Sequence, residues 1–372
     1  MAVERVKEEI YTCTRCGFCR SAVDYKRGVN LICPMGERYG MDTFFARGKV
    51  GIARLIYEGK IRNFDSSLLE RIYHCLTCGN CMAHCSSMID TLSIFFALRE
   101  EAIKNGNAPL EVHKKFLKNL KDFKNLYGGK EFTYEYEGRT GNTLLFTGCS
   151  FYYDRGLKNV VEKSVELLLK SGIEPVIFKD EICCGDFAKR IGDLSTFNLL
   201  KEENLSKMKE RGIKEIITIC SHCYRTFKMD YELKDIKVSH IVEVIKKKMR
   251  EKKLKPKRGE SAVVTYHDPC YLGRHTKILE PQRDIIKMIE GVRFVEMKRT
   301  KENAWCCGAG GGIMEGFPLL ANEIAAERLA DVPDGVDYLL TSCPFCIMNL
   351  RKAGKKADYY IGDLVEFLIE FF

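Results

Sequence analysis

The sequence predicts an α+α/β protein, with a mostly helical N-terminal domain followed by two tandem α/β domains on small parallel sheets. Three observations in its 372 residues carry that reading. Up to about residue 125 the apolar residues fall at helical spacing, with no strand-like alternation between. Beyond that region the chain repeats itself, Cys183, Cys184, Cys220 and Cys223 recurring 123 positions later as Cys306, Cys307, Cys343 and Cys346. Within each copy short apolar strands alternate with helices, the pattern of parallel βαβ units.

The expected helices of the first region are Phe44 to Glu58, ending at Gly59, then Ser67 to Tyr73, and Thr91 to Lys104, stopped by Asn105-Gly106. Tyr127 to Asn142, rich in Gly, Tyr and charge, reads as a linker or surface excursion. In the first copy a strand at Leu144 to Phe146 leads to Cys149, and a helix spans Leu157 to Lys170. A second strand, Pro175 to Phe178, leads to Cys183-Cys184-Gly185. A helix from about Ser195 to Lys209 then precedes a third strand, Glu215 to Thr218. The second copy offers strands at Val263 to Thr265, Arg293 to Met297 and Tyr338 to Thr341, with a helix at Pro318 to Leu329. Cys149 and Cys270 match at an offset of 121, and His240-Ile-Val-Glu-Val-Ile matches Asp363-Leu-Val-Glu-Phe-Leu at 123. Sites in such sheets collect beyond the carboxyl ends of the strands, where these cysteines fall. The expected domains are 1–126, 143–258 and 259–372.

All 18 cysteines fall into metal-binding patterns. Cys13, Cys16 and Cys19 form CxxCxxC, with Cys33-Pro34 downstream, and Cys75, Cys78, Cys81 and Cys85 form CxxCxxCxxxC. Triplets at this spacing wrap three corners of a cubane 4Fe–4S cluster and leave the fourth ligand to come from elsewhere. Zinc sites use CxxC pairs but do not need triplets. On the crossed pattern of two-cluster ferredoxins, Cys13, Cys16, Cys19 and Cys85 hold one cluster and Cys75, Cys78, Cys81 and Cys33 the other. The remaining ten cysteines divide into Cys149, Cys183, Cys184, Cys220, Cys223 and Cys270, Cys306, Cys307, Cys343, Cys346. Five thiolates exceed what a cubane or a tetrahedral zinc can use. Either one thiol in each set is spare, or a thiolate bridges irons in an opened, non-cubane cluster.

Composition narrows the function. The hydrophobic fraction is 45% and the formal net charge +9, with both signs interspersed except for a basic run from Lys246 to Arg258. A solvated helix end and linker accounts for that run; an acidic partner or lipid headgroups are the other readings. No recognition motif accompanies the charge, so nucleic acid is not expected. The sequence starts without an apolar signal core, and no apolar run reaches the ~18 residues of a membrane span. The expectation is a reducing, cytoplasmic setting, with a peripheral place on the inner membrane face left open, where cysteine clusters bind metal rather than form disulfides.

The two five-cysteine sets, with His267-Asp-Pro-Cys-Tyr-Leu-Gly-Arg274 and Trp305-Cys-Cys-Gly-Ala-Gly-Gly-Gly312 around them, resemble paired cysteine-rich CCG domains. With a ferredoxin-like two-cluster domain in front, the whole chain resembles the D-type iron–sulfur chains of CoB–CoM heterodisulfide reductases. The resemblance implies two cubane clusters passing electrons to two non-cubane CCG clusters, which together reduce a small disulfide. It also implies a redox partner subunit, a membrane cytochrome b or a flavoprotein. His222, His267 and Arg274 are the candidate catalytic side chains, the histidines as proton donors or hydrogen-bond donors to cluster sulfur and the arginine as a clamp for an anionic substrate. The same architecture occurs in iron–sulfur subunits of glycerol-3-phosphate, glycolate and lactate dehydrogenases, which relay electrons from a flavin toward quinone or cytochrome. Architecture alone does not separate the two. The chain lacks a dinucleotide loop, since Gly308 to Gly312 follows cysteines rather than a strand, so a flavin would sit on another protein. The apolar C-terminus, Leu364 to Phe372, is expected to pack as the last helix on the second sheet or to dock a partner.

Overall fold

The computed structural model describes all residues except 25–27, 130–133 and 135–136. Its N-terminal third is built from helices, among them Lys7–Thr12, Pro34–Tyr39, Ala46–Tyr57, Ser66–Tyr73, Thr91–Lys104 and Glu111–Phe123. Asp65 and Asp90 cap two of them, Asp65 accepting from the Leu68 N–H and Asp90 from the Leu92 and Ser93 N–H groups. Thr91–Lys104 buries residues all around its circumference and forms the core of this region. One feature departs from expectation. Between Cys19 and Cys33 the chain forms an antiparallel hairpin, β1 (Ser21–Asp24) with β2 (Gly28–Leu31). Ser-Ala-Val-Asp and Gly-Val-Asn-Leu lack the paired large apolar residues that mark the strands of the repeats, so the sequence pattern gave no sign of them.

Two parallel sheets follow. The first has the order β3 (Thr143–Phe146), β4 (Glu215–Thr218), β5 (Lys237–His240). The second has the order β7 (Val292–Phe294), β6 (Ala262–Tyr266), β8 (Tyr338–Thr341), β9 (Tyr360–Asp363). The expected strand at Pro175 to Phe178 is reduced to isolated bridges, Val176 with Leu144 and Ile177 with Glu137. Those bridges stand where β7 stands in the second sheet, so the repeat extends to topology. The helices fall close to expectation, at Lys158–Lys170, Leu194–Glu210 and Pro318–Leu329.

The structure also explains the repeated His240 and Asp363 strings. Each closes a strand and opens a helix with a capping box, the backbone N–H of His240 donating to Glu243 and that of Asp363 to Glu366. The C-terminal helix Leu364–Leu368 packs on the second sheet and against helix Lys158–Lys170 of the first repeat. The basic run is tied down at its start: Lys246 pairs with Asp284 at 2.5 Å, and Arg250 with the same carboxylate at 3.5 Å. The expected linker at 127–142 lies partly outside the described residues, and two of its described tyrosines are anchored. Tyr134 is buried and donates to the Phe151 carbonyl at 2.7 Å, and Tyr127 donates to Ser150.

Candidate metal centres

The cysteines sit where the backbone offers hydrogen bonds to sulfur. Cys33, Cys183 and Cys220 each accept an N–H at 3.4 Å, from Gly36, Gly185 and Cys223. Such donors favour thiolate and hence metal ligation. In the helical region Cys33, Cys75, Cys78 and Cys81 line one cavity of about 400 Å³. Burial pushes the Cys33 thiol up to about 12. Cys85 lies elsewhere. Its neighbours Ser86 and Ser87 meet Cys16 and Thr14 at 3.2 and 3.3 Å, beside exposed Cys16 and half-exposed Cys13 and Cys19.

The first five-cysteine set gathers at the carboxyl ends of β3 and β4. Its thiols form an unbroken chain of hydrogen-bonding contacts, Cys149 to Cys183 at 3.7 Å, then Cys184, Cys223 and Cys220. All five line a cavity of about 500 Å³, counting the part open to solvent. Its far wall comes from the second repeat: Ala309, Gly311, Gly312, Glu315 and Phe345. Asp186, directly after Cys183-Cys184-Gly185, accepts from Arg190 at 2.8 Å and contacts His222 Nδ1 at 2.9 Å. Burial alone would raise the Asp186 carboxyl, but Arg190 and His222 hold it well below the usual range.

The second set gathers beyond β6 and β8 and is buried throughout. Cys306 contacts Cys270 and Cys307, Cys307 contacts Cys346, and Cys346 contacts Cys343. Gly308 has φ +87°, and a Cβ there would lie 2.4 Å from the Ala321 carbonyl, so this corner of Cys-Cys-Gly admits only glycine. The set touches both neighbours. Cys306 meets Cys78 of the helical region, and Cys343 meets His222 of the first set. Burial works against a charge on His222, yet Asp186 and Cys343 hold it protonated, well above its ordinary value.

The loop bearing Cys75 and Cys78 is pinned to the second repeat. The Arg99 guanidinium is fully buried and donates to the carbonyls of Ile72, Tyr73, Cys75, Arg190 and Gly311 at 2.8–3.4 Å, joining all three regions. A Cβ at Gly311 would lie 2.1 Å from the Cys75 carbonyl, so the two backbones meet directly. Three rings then bridge the regions. His275 contacts the Thr77 carbonyl at 2.9 Å and stacks on Tyr271 at 4.3 Å, and Tyr271 stacks on His222 at 3.9 Å. The Tyr271 hydroxyl contacts Thr77 Oγ1 at 2.9 Å.

The three candidate catalytic side chains are dispersed. His222 lines the cavity. His267 does not: its Nδ1 accepts from Arg328 Nε at 2.9 Å, so in the neutral ring Nε2 carries the proton, buried beside Cys307. His267, Cys307 and Cys346 place ligand atoms within 4.8 Å of one another. Arg274 donates through Nε and Nη1 to the carbonyls of Cys78, Glu302 and Ala304 at 2.6–3.2 Å, and does not line the cavity as a substrate clamp would. Sequence reasoning missed Asp186, Arg190, Tyr271 and Glu315. Adjacency to Cys-Cys-Gly and to Cys270 could have flagged Asp186 and Tyr271, but nothing marked Glu315.

Comparison with known proteins agrees with this geometry. The 4Fe-4S dicluster domain family matches residues 9–89, and the CCG cysteine-rich domain family matches 143–228 and 264–351. The D chain of the dihydromethanophenazine:CoB–CoM heterodisulfide reductase of Methanosarcina acetivorans is 31% identical over 96% of this chain and 92% of its own length. The EtfAB:quinone oxidoreductase of Syntrophomonas wolfei is 31% identical over 78% of this chain, which spans 44% of that protein. Among solved structures, a hypothetical protein from Helicobacter pylori superposes with a TM-score of 0.59 at 14% identity, over 87% of this chain and 68% of that one, a likeness of fold. Thiols in four groups, with N–H donors aimed at sulfur, suit iron–sulfur clusters, the cofactors these domains imply. The chain belongs to the iron–sulfur family that joins a 4Fe-4S dicluster domain to paired CCG domains and includes the D-type chains of heterodisulfide reductase.

Proposed function

We propose that this chain is the oxidoreductase subunit at which a small disulfide is reduced to two thiols, with electrons delivered singly by a redox partner. The observation that carries the reading is the cavity lined by all five thiols of the first set and reached past half-exposed Cys149. In this reading residues 1–126 form the two-cluster domain, and 143–258 and 259–372 form the two CCG domains. Cys13, Cys16, Cys19 and Cys85 hold one cubane, supported by the contacts of Ser86 and Ser87 with Cys16 and Thr14. Cys33, Cys75, Cys78 and Cys81 hold the other, supported by their shared cavity. Each five-cysteine set holds a non-cubane cluster through all five thiolates. When bound, such clusters supply single-electron transfer and an iron accessible to a substrate sulfur.

The order of the centres follows from what touches what. Exposed Cys16 marks the face toward the partner, a membrane cytochrome b or a flavoprotein; no helix among the described residues is long and apolar enough to cross a membrane. A peripheral cytoplasmic position suits that contact. Cys78 against Cys306 joins the second cubane to the second set, and His222 against Cys343 joins the second set to the first. The resemblance implies that the two CCG clusters act together on the disulfide. The first set's thiols line the cavity and the second set's do not, which supports the second set as the conduit that delivers electrons to it. His222, fixed by Asp186, keeps a proton between the sets, while His267 and Arg274 hold sulfur and backbone in place.

The test is anaerobic turnover with a panel of low-molecular-weight disulfides and a reduced viologen as donor. Turnover with a disulfide supports the reading. No turnover, together with reduction of a quinone analogue through a flavoprotein, selects the relay role, which the likeness to an EtfAB:quinone oxidoreductase favours. The reading also expects about 16 irons per chain; about 8 would remove the two CCG clusters.

A further inference from the structure

The positive charge of the chain is concentrated in one surface strip. From Lys246 to Arg258 nine basic residues stand against Glu251 alone, a net +8 of the +9 carried by all 372 residues. The strip begins in the helix Ile241–Arg250 and ends just before β6. That helix starts where β5 ends, so the strip returns to the amino ends of the strands, the edge opposite the ten cysteines of the two repeats. A helix C-terminus favours cations, which accounts for Lys247, Lys248 and Arg250. It does not account for the five basic residues from Lys252 to Arg258, which lie beyond the last turn.

The backbone holds the strip in one shape. Met249 and Leu254 are buried, and the N–H groups of Lys252, Lys253 and Leu254 donate to the carbonyls of Met249 and Lys248 at 3.0–3.2 Å. The Lys257 N–H donates to the Phe371 carbonyl at 2.7 Å. Between these anchors every basic side chain from Lys252 to Arg258 is exposed. Three carboxylates pair with the strip: Asp284 with Lys246 and Arg250, Glu251 with Lys247 and Lys253, and Glu290 with Arg258. Among the described residues Lys248, Lys252, Lys255 and Lys257 have no ion pair.

We propose that this strip is a contact surface for an anionic lipid bilayer, holding the protein at a membrane face through headgroup phosphates. The inference stands apart from the reaction read from the cysteines. Its composition favours lipid over a protein partner. Seven of the nine cations are lysines, a residue depleted in protein interfaces, and no exposed large apolar side chain lies within the strip to anchor a partner. A headgroup layer needs no such anchor, and each lysine close to it strengthens attachment about fivefold.

The experiment is cosedimentation of the iron-loaded protein with vesicles of phosphatidylcholine, alone or with about 30% phosphatidylglycerol. The variant combines Lys248→Gln, Lys252→Gln, Lys255→Gln and Lys257→Gln. A control of equal net charge neutralises four exposed lysines elsewhere, Lys114→Gln, Lys115→Gln, Lys355→Gln and Lys356→Gln. Wild type is expected to bind the anionic vesicles, to leave them at high salt and to ignore the neutral ones. The variant should bind about 100-fold more weakly, with iron content and denaturation midpoint unchanged, and the control should stay within about threefold of wild type. An equal loss in the control would reduce the effect to net charge and overturn the assignment. So would a wild type that binds both kinds of vesicle alike, or neither. Vesicles ignored while polyglutamate is bound by wild type and not by the variant would make the strip a site for an acidic protein and remove the lipid assignment. Disulfide reduction stands or falls separately from each of these outcomes.

Discussion

In the first five-cysteine set Cys149 is half-exposed and all five thiols line an open cavity, whereas in the second every thiol is buried. The surroundings differ as sharply. Around the first set Asp186 holds His222 and Arg190; around the second Arg328 holds His267, and Arg274 and Arg99 fix the backbone of the adjoining cubane loop. One motif, used twice on related sheets, thus yields one set of thiols beside an open cavity and one set buried throughout. The difference comes from residues outside the motif. Asp186 stands where the second repeat has Ala309, and the first repeat has Gly192 where the second has Glu315.

The largest expected effect is on the enclosed side. Arg99→Met strips five carbonyls of their donor and should cost about 4 kcal/mol, read as a lower denaturation midpoint. Iron should be lost from the second set before the first. Next, Gly308→Ala, set against a backbone carbonyl at positive φ, should cost about 3 kcal/mol. Gly185→Ala meets the Phe197 side chain at 2.9 Å, which can shift, and should cost about 1–2 kcal/mol. Equal costs would mean that the two corners are equally confined. His267→Leu removes an N–H beside Cys307 and should lower the second-set potential by about 60 mV in a redox titration; a fall in the first-set potential instead would misplace that donor. The smallest effect is expected for Tyr271→Phe, which keeps both ring stacks and loses the Thr77 contact, about 1 kcal/mol of stability with turnover unchanged.

Much of this was legible in the sequence because cysteine spacing and apolar period are local signals. Glu215–Thr218, Tyr338–Thr341 and Thr91–Lys104 fall at the expected residues, and the 123-residue repeat foretold one topology used twice. What escaped was short or long-range. Strands β1 and β2 lack the paired large apolar residues that mark β4 and β8, and Pro175 to Phe178 supplies one bridge per partner because only Val176 and Ile177 reach one. Arg274 sits in a motif that suggested an anion clamp, but its side chain turns to the Cys78 carbonyl, 196 positions away in the chain. Glu315 meets the first set only because the two repeats face each other, which spacing within one repeat does not encode.

The division of labour between the two sets is the central claim, and EPR of the oxidised protein with added thiol tests it most directly. Substrate sulfur bound at the open set predicts a thiol-dependent signal that Cys184→Ala abolishes and Cys307→Ala retains. A signal that survives Cys184→Ala and disappears in Cys307→Ala would place the substrate at the enclosed set and contradict the account.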